Sequence, residues 1–116
     1  MEIDELKLKQ DWFKLRLKLK LKFGRLPDMN AVLFLIGMNE VGQIKKVFSK
    51  EEKQDLMHVA VCVLLSRNGY YEFEKNDEDG WPHYKPTSML PKMNLEEQEL
   101  LLKINILHYF ENQNMN

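Results

Sequence analysis

The sequence predicts a mostly α-helical single domain, four helices with an aromatic loop or a short β-hairpin between the third and the fourth. Three observations predict it. Helix start and stop signals bracket four segments, the most unusual of those segments is built from strong helix formers, and one interval between segments holds three of the four prolines beside a cluster of aromatic residues. A chain of 116 residues has length for one core, so residues 1–116 are read as one domain.

The first helix is expected over residues 4–23. Gly24 is placed to take the left-handed C-terminal conformation, and Pro27 prevents continuation. Within it, residues 13–23 read FKLRLKLKLKF, an unbroken alternation of apolar and cationic side chains. With a period of two this is a strand, leucines on one face and cations on the other. With a period of 3.6, Leu8, Trp12, Leu15, Leu19 and Phe23 make one stripe, while Leu6, Phe13, Leu17 and Leu21 make another on roughly the opposite side. Helix is preferred: leucine, lysine and arginine are good helix formers, no β-branched residue occurs over residues 4–23, and a strand of that length has no partner of equal length here. A helix with two stripes needs two covers, so one stripe is expected in the core and the other against a second copy of the chain.

Asp28 is placed to cap a second helix that runs to about Val41, with Gly42 near its stop. Ser49 and Glu52 have capping-box spacing and open a third helix, expected to end at Asn68-Gly69. Asn94 and Glu97 repeat that spacing before the fourth, over residues 95–111. In the interval YYEFEKNDEDGWPHYKPTSMLPKM, residues 70–74 and 81–84 pair as a hairpin around Asp79-Gly80, with Pro82 confining the second strand to an edge; a packed aromatic loop is the alternative. The second helix carries NAVLFLIG and the third is apolar over residues 56–65 except at His58, so apolar side chains leave both in nearly every direction. That excess, added to the second stripe of the first helix, predicts a homodimer.

Seventeen Lys and Arg against eighteen Asp and Glu give a net charge of -1, which argues against a general nucleic-acid binder. The charges are nonetheless segregated. Residues 7–25 carry eight cations and the single acid Asp11, whereas residues 72–79 carry five acids and one lysine. Such asymmetry favours an acidic partner, nucleic acid or anionic lipid, or pairing between copies or segments of the chain. The lone Cys62, set in VAVCVLL, reads as a buried thiol in a reducing compartment, and the start MEIDELK lacks a secretory pattern. The longest apolar runs, residues 31–36 and 59–65, are too short to span a bilayer. A cytoplasmic protein is expected.

Chemistry-bearing residues are few. On the third helix Glu51, Asp55, His58 and Cys62 share one stripe, and Asp55-x-x-His58 has the spacing at which one helix offers a carboxylate and an imidazole to a metal. Facing helices offer only Glu40 and the poor match Asn105-x-x-His108, so the competing reading is structural, with Asp55 paired to His58 or His58 satisfied at the edge of the core. His83 joins Asp55 and His58 as a metal candidate if the interval folds back over the third helix. NDEDG does not fit a calcium loop, which would need an acid at Lys75 and a glutamate at Pro86. No catalytic residue and no cofactor are assigned: the chain has no Gly-rich phosphate loop, no Ser/His/Asp arrangement and no paired-cysteine zinc motif.

The blocks PDMNAVLFLIGMNEVG, FSKEEKQDLMHVAVCVLLSRNGYYEFE and DEDGWPHY resemble a family of short bacterial proteins of unknown function, over roughly residues 23–110. The resemblance implies an intracellular bacterial protein and transfers no activity. The functional expectation is therefore a small self-associating interaction or structural module. The alternatives are a metal-binding enzyme using Asp55 and His58, and a factor that binds an acidic partner through the basic first helix.

Overall fold

A computed structural model describes residues 4–42 and 47–112. Over them the chain forms α1 (Glu5–Phe23), α2 (Met29–Val41), α3 (Lys50–Ser66), β1 (Tyr71–Asn76), β2 (Pro82–Pro86) and α4 (Leu95–Asn112). The molecule is mostly helical, with one antiparallel hairpin between α3 and α4. Two compact units can be distinguished: α1 with α4, and α2 with α3 and the hairpin.

In the first unit, the Asp4 side chain accepts the Lys7 amide hydrogen at the start of α1, and Gly24 ends it at φ 75° while donating to the Lys20 carbonyl. The alternating segment is thus helical, not extended. Its caps satisfy backbone groups at each end, and its leucines and lysines lose little side-chain freedom in a helix. Beyond the cap the chain is tied back by Arg16, whose Nε donates to the Pro27 carbonyl at 2.6 Å. Trp12, Leu15 and Leu19 are buried, contributing roughly 1.5–3 kcal/mol each to folding. On α4 the buried set is Leu102, Asn105, Ile106, Tyr109 and Phe110. Asn105 is satisfied by donating from Nδ2 to the Leu101 carbonyl. Lys103 lies over the Trp12 ring at 5.8 Å, and Lys7 feels the charge of Glu111, so α1 and α4 run in opposite directions. Asn94 and Glu97 exchange backbone-to-side-chain bonds of 2.8 and 3.2 Å, the cap that the sequence predicts for α4.

In the second unit, Ser49 and Glu52 close the predicted capping box at the start of α3. The helix stops at Ser66, and Gly69, at φ 78°, lets the chain reverse into β1. α2 crosses α3 at Gly37, where the helix backbones approach so closely that a Cβ would lie 2.7 Å from the Leu56 carbonyl carbon. Val32, Leu33, Leu35 and Ile36 of α2 are buried, as are Leu56, Val59, Ala60, Leu64 and Leu65 of α3. Much of the apolar excess of these two helices is therefore covered within one chain, while Phe34, Met38, Met57, Val61 and Val63 stay half-buried. Tight crossing at a glycine buries more of each helix than their separate patterns suggest, so this excess weighs less toward a second copy than the sequence implies.

The hairpin is longer than the sequence indicates. Tyr71 pairs with Pro86, Phe73 with Tyr84 and Asn76 with Pro82, with an irregularity between Phe73 and Lys75. Its turn is organised by Asp77, whose Oδ1 accepts the amide hydrogens of Asp79 and Trp81 at 2.9 and 3.0 Å, and by Gly80 at φ 85°. Pro82 is tolerated because both strands of a two-stranded sheet are edges. Thr87 closes the base, its Oγ1 donating to the Gly69 carbonyl at 2.6 Å. Both strands pack against α3.

Candidate functional site

Folding of the hairpin over α3 creates a cleft of about 800 Å³. Asp55 and His58 line it from α3, and His83 lines it from β2, so the three metal candidates share one wall-to-wall space. Glu52, Asp77, Asp79, Trp81 and Tyr84 also line it. The sequence marks Asp55, His58 and Cys62 by their helical spacing. It does not mark Asp77 or Tyr84, which enter through the hairpin register.

The cleft divides into two pairs. His83 Nε2 lies 2.9 Å from Asp77 Oδ2, and that hydrogen bond, with the backbone donors of Trp81 and Asp79, holds the Asp77 carboxyl below its ordinary range. On the α3 side, His58 Nε2 lies 3.6 Å from Cys62 Sγ. Cys62 is buried, and burial pushes its thiol up to about 11, so it is a protonated, weakly reactive group beside the imidazole. Tyr84 is likewise raised, first by burial and then by the charge of Glu40. No hydrogen bond joins Asp55 to His58, and both are exposed; the expected pairing or core-edge seating of His58 is replaced by its contact with Cys62 one turn along the helix.

Among the described residues, no group of three or more His, Cys, Asp and Glu side chains is gathered closely enough to hold a metal ion. Asp55, His58 and His83 face one space without converging on one point. Asp77 takes one His83 nitrogen, and His58 turns its Nε2 to a sulfur. Nor does the Cys62–His58 contact make a nucleophile, since that chemistry needs a lowered thiol pKa rather than a raised one.

The second prominent feature is α1. At 100° per residue, Leu6, Phe13, Leu17 and Leu21 fall within an arc of about 80°, nearly opposite Trp12, Leu15 and Leu19. All four are exposed, Leu6 at 67% and Leu21 at 93%. Cations border this arc on both sides, Lys7, Lys14, Lys18 and Lys22 along one edge and Lys9, Arg16 and Lys20 along the other. Lys7 is paired with Asp11 at 2.8 Å, which raises the lysine and lowers the acid, both at the solvent surface. Seven cations against Glu5 and Asp11 leave α1 with a formal charge of +5.

No family model, no characterised protein and no solved structure matches this chain. These comparisons do not support the resemblance expected from the three sequence blocks, and they bring no assignment to either feature. Among the described residues no helix is long and apolar enough to cross a membrane.

Proposed function

We propose that the chain, read as one domain, is a small helical interaction module whose working surface is the outer side of α1. What that surface takes is an acidic partner that also offers apolar contact. One observation carries this reading: an apolar stripe, interrupted by Gln10, stands exposed along a helix of charge +5, with cations on both of its borders. An apolar stripe left in water is unfavourable and marks a contact surface, while the bordering cations select the sign of what covers it. The reducing cytoplasm of a bacterium suits the lone Cys62 thiol and the three resembling blocks.

Self-association, expected from the sequence, is a second reading with one observation in its favour. Residues 72–79, with five acids and one lysine, are a surface of opposite sign that α1 of another copy would meet. Pairing α1 with α1 is disfavoured, since it would set the two cationic borders against their counterparts. The metal-enzyme reading has only the shared cleft in support.

Anilinonaphthalene sulfonate joins fused rings to an anion and so tests this surface directly. Titration into the protein is expected to shift the backbone amide signals of α1, with binding weakened by salt and by Leu17→Ser/Leu21→Ser. Shifts confined to the α3–hairpin cleft, or binding indifferent to those substitutions, would refute the proposal.

A further inference from the structure

We infer that the acidic partner of α1 is the surface of a lipid bilayer containing anionic headgroups. The inference rests on the interaction reading above and names the partner of that same surface.

The exposed stripe, interrupted by Gln10, follows a single helix for about 22 Å from Leu6 to Leu21. Four large apolar side chains stand along it with lysines on both flanks. A bilayer answers this arrangement on every count. The headgroup and acyl boundary accepts apolar side chains along the whole length of a helix lying in its plane. Anionic headgroups are present on both sides of that line, and the flexible stems of the lysines let the charges reach them while their methylenes cover the edge of the apolar stripe.

Nucleic acid and an α1–α1 pair each fail on one feature, and residues 72–79 of a second copy are separated from lipid by the light-scattering measurement below. Nucleic acid would reward the cations but offers phosphate and sugar to Leu6, Leu17 and Leu21, which gain nothing from it. A second copy presenting its own α1 would reward the leucines and penalise the cations. Among the described residues no helix has the length and apolarity to cross the membrane, so the chemistry is that of a helix resting on the surface. Trp12, Leu15 and Leu19 remain buried within the protein during this contact, because the stripe that meets lipid is the other one.

The test is co-sedimentation of the full chain with vesicles of zwitterionic lipid, and with vesicles in which about one-third of the lipid is anionic. Binding is expected to the anionic vesicles only, to weaken as salt is raised, and to fall at least about tenfold in Leu17→Ser/Leu21→Ser. A second variant, Lys14→Glu/Lys18→Glu, changes only solvated positions, so it keeps the fold, and is expected to lose binding to a similar extent. Equal binding to both vesicle types, or undiminished binding by either variant, would overturn the inference. Light scattering and duplex DNA binding distinguish the alternatives. A dimer that dissociates in Leu17→Ser/Leu21→Ser, without vesicle binding, transfers the stripe to a second copy. DNA binding indifferent to those leucines, without vesicle binding, transfers the cations to nucleic acid. Dye binding on α1 without vesicle binding would sink the lipid inference alone; loss of both would sink the interaction reading as well.

Discussion

Gly37 of α2 lies against the backbone of Leu56 on α3, in contact with its carbonyl group at a distance that leaves no space for a Cβ. The atoms in the way are backbone, so they cannot rotate aside. Gly37→Ala is therefore expected to separate the two helices and destabilise the fold by about 1–3 kcal/mol, although alanine is the better helix former. Urea denaturation of the two proteins measures this; equal or greater stability in the variant would show that the crossing is looser than described.

Cys62 gives a chemical prediction. With its thiol raised by burial to about 11, the thiolate fraction near neutral pH is very small. Alkylation by iodoacetamide in the folded protein is expected to be about a hundredfold slower than for a free thiol, and to become fast on unfolding. Rapid alkylation of the folded protein would mean that His58 activates the sulfur after all.

Much of this fold is legible in the sequence where local chemistry decides it. Asp4 and Gly24, Ser49 and Glu52, and Asn94 and Glu97 are short-range hydrogen-bonding devices, and all three pairs stand at the predicted helix ends. The choice of helix over strand for residues 13–23 likewise follows from side-chain entropy. The close approach at Gly37 is not legible, because a glycine within NAVLFLIG carries no mark of what crosses it. In the cleft, the α3 stripe is visible as spacing, whereas the Asp77–His83 pair depends on a hairpin register that residues 72–83 do not declare.

That pair sets a pH dependence. The Asp77 carboxyl is held below its ordinary value of 3.8, chiefly by the His83 hydrogen bond. A depressed folded-state pKa stabilises at pH values above the unfolded one, and the stabilisation disappears as pH falls through the folded value. The hairpin is therefore expected to loosen in acid, below the ordinary carboxylate range. His83→Ala should move the Asp77 carboxyl up toward 3.8 in a nuclear magnetic resonance titration; an unmoved titration would show that the backbone donors alone hold it.

For Asp55, His58 and His83, the geometry predicts no tightly held metal. Elemental analysis of purified protein is expected to find no stoichiometric zinc, iron or manganese. His58→Ala, an exposed site with one contact to sulfur, should change stability by no more than about 0.5 kcal/mol. About one equivalent of metal per chain, lost on that substitution, would place the enzyme reading first.

The outer side of α1 is the centre of the account, and a reporter placed on it gives the most direct measurement. Phe13→Cys carrying an environment-sensitive fluorophore puts the probe within the exposed stripe, and Glu99→Cys puts the same probe on the solvent side of α4. Cys62, buried and protonated, does not compete for the label. On addition of anionic vesicles the emission at position 13 should shift to the blue while that at position 99 stays unchanged. No shift at position 13 while the protein binds vesicles, or equal shifts at both, would contradict the assignment of α1 as the working surface.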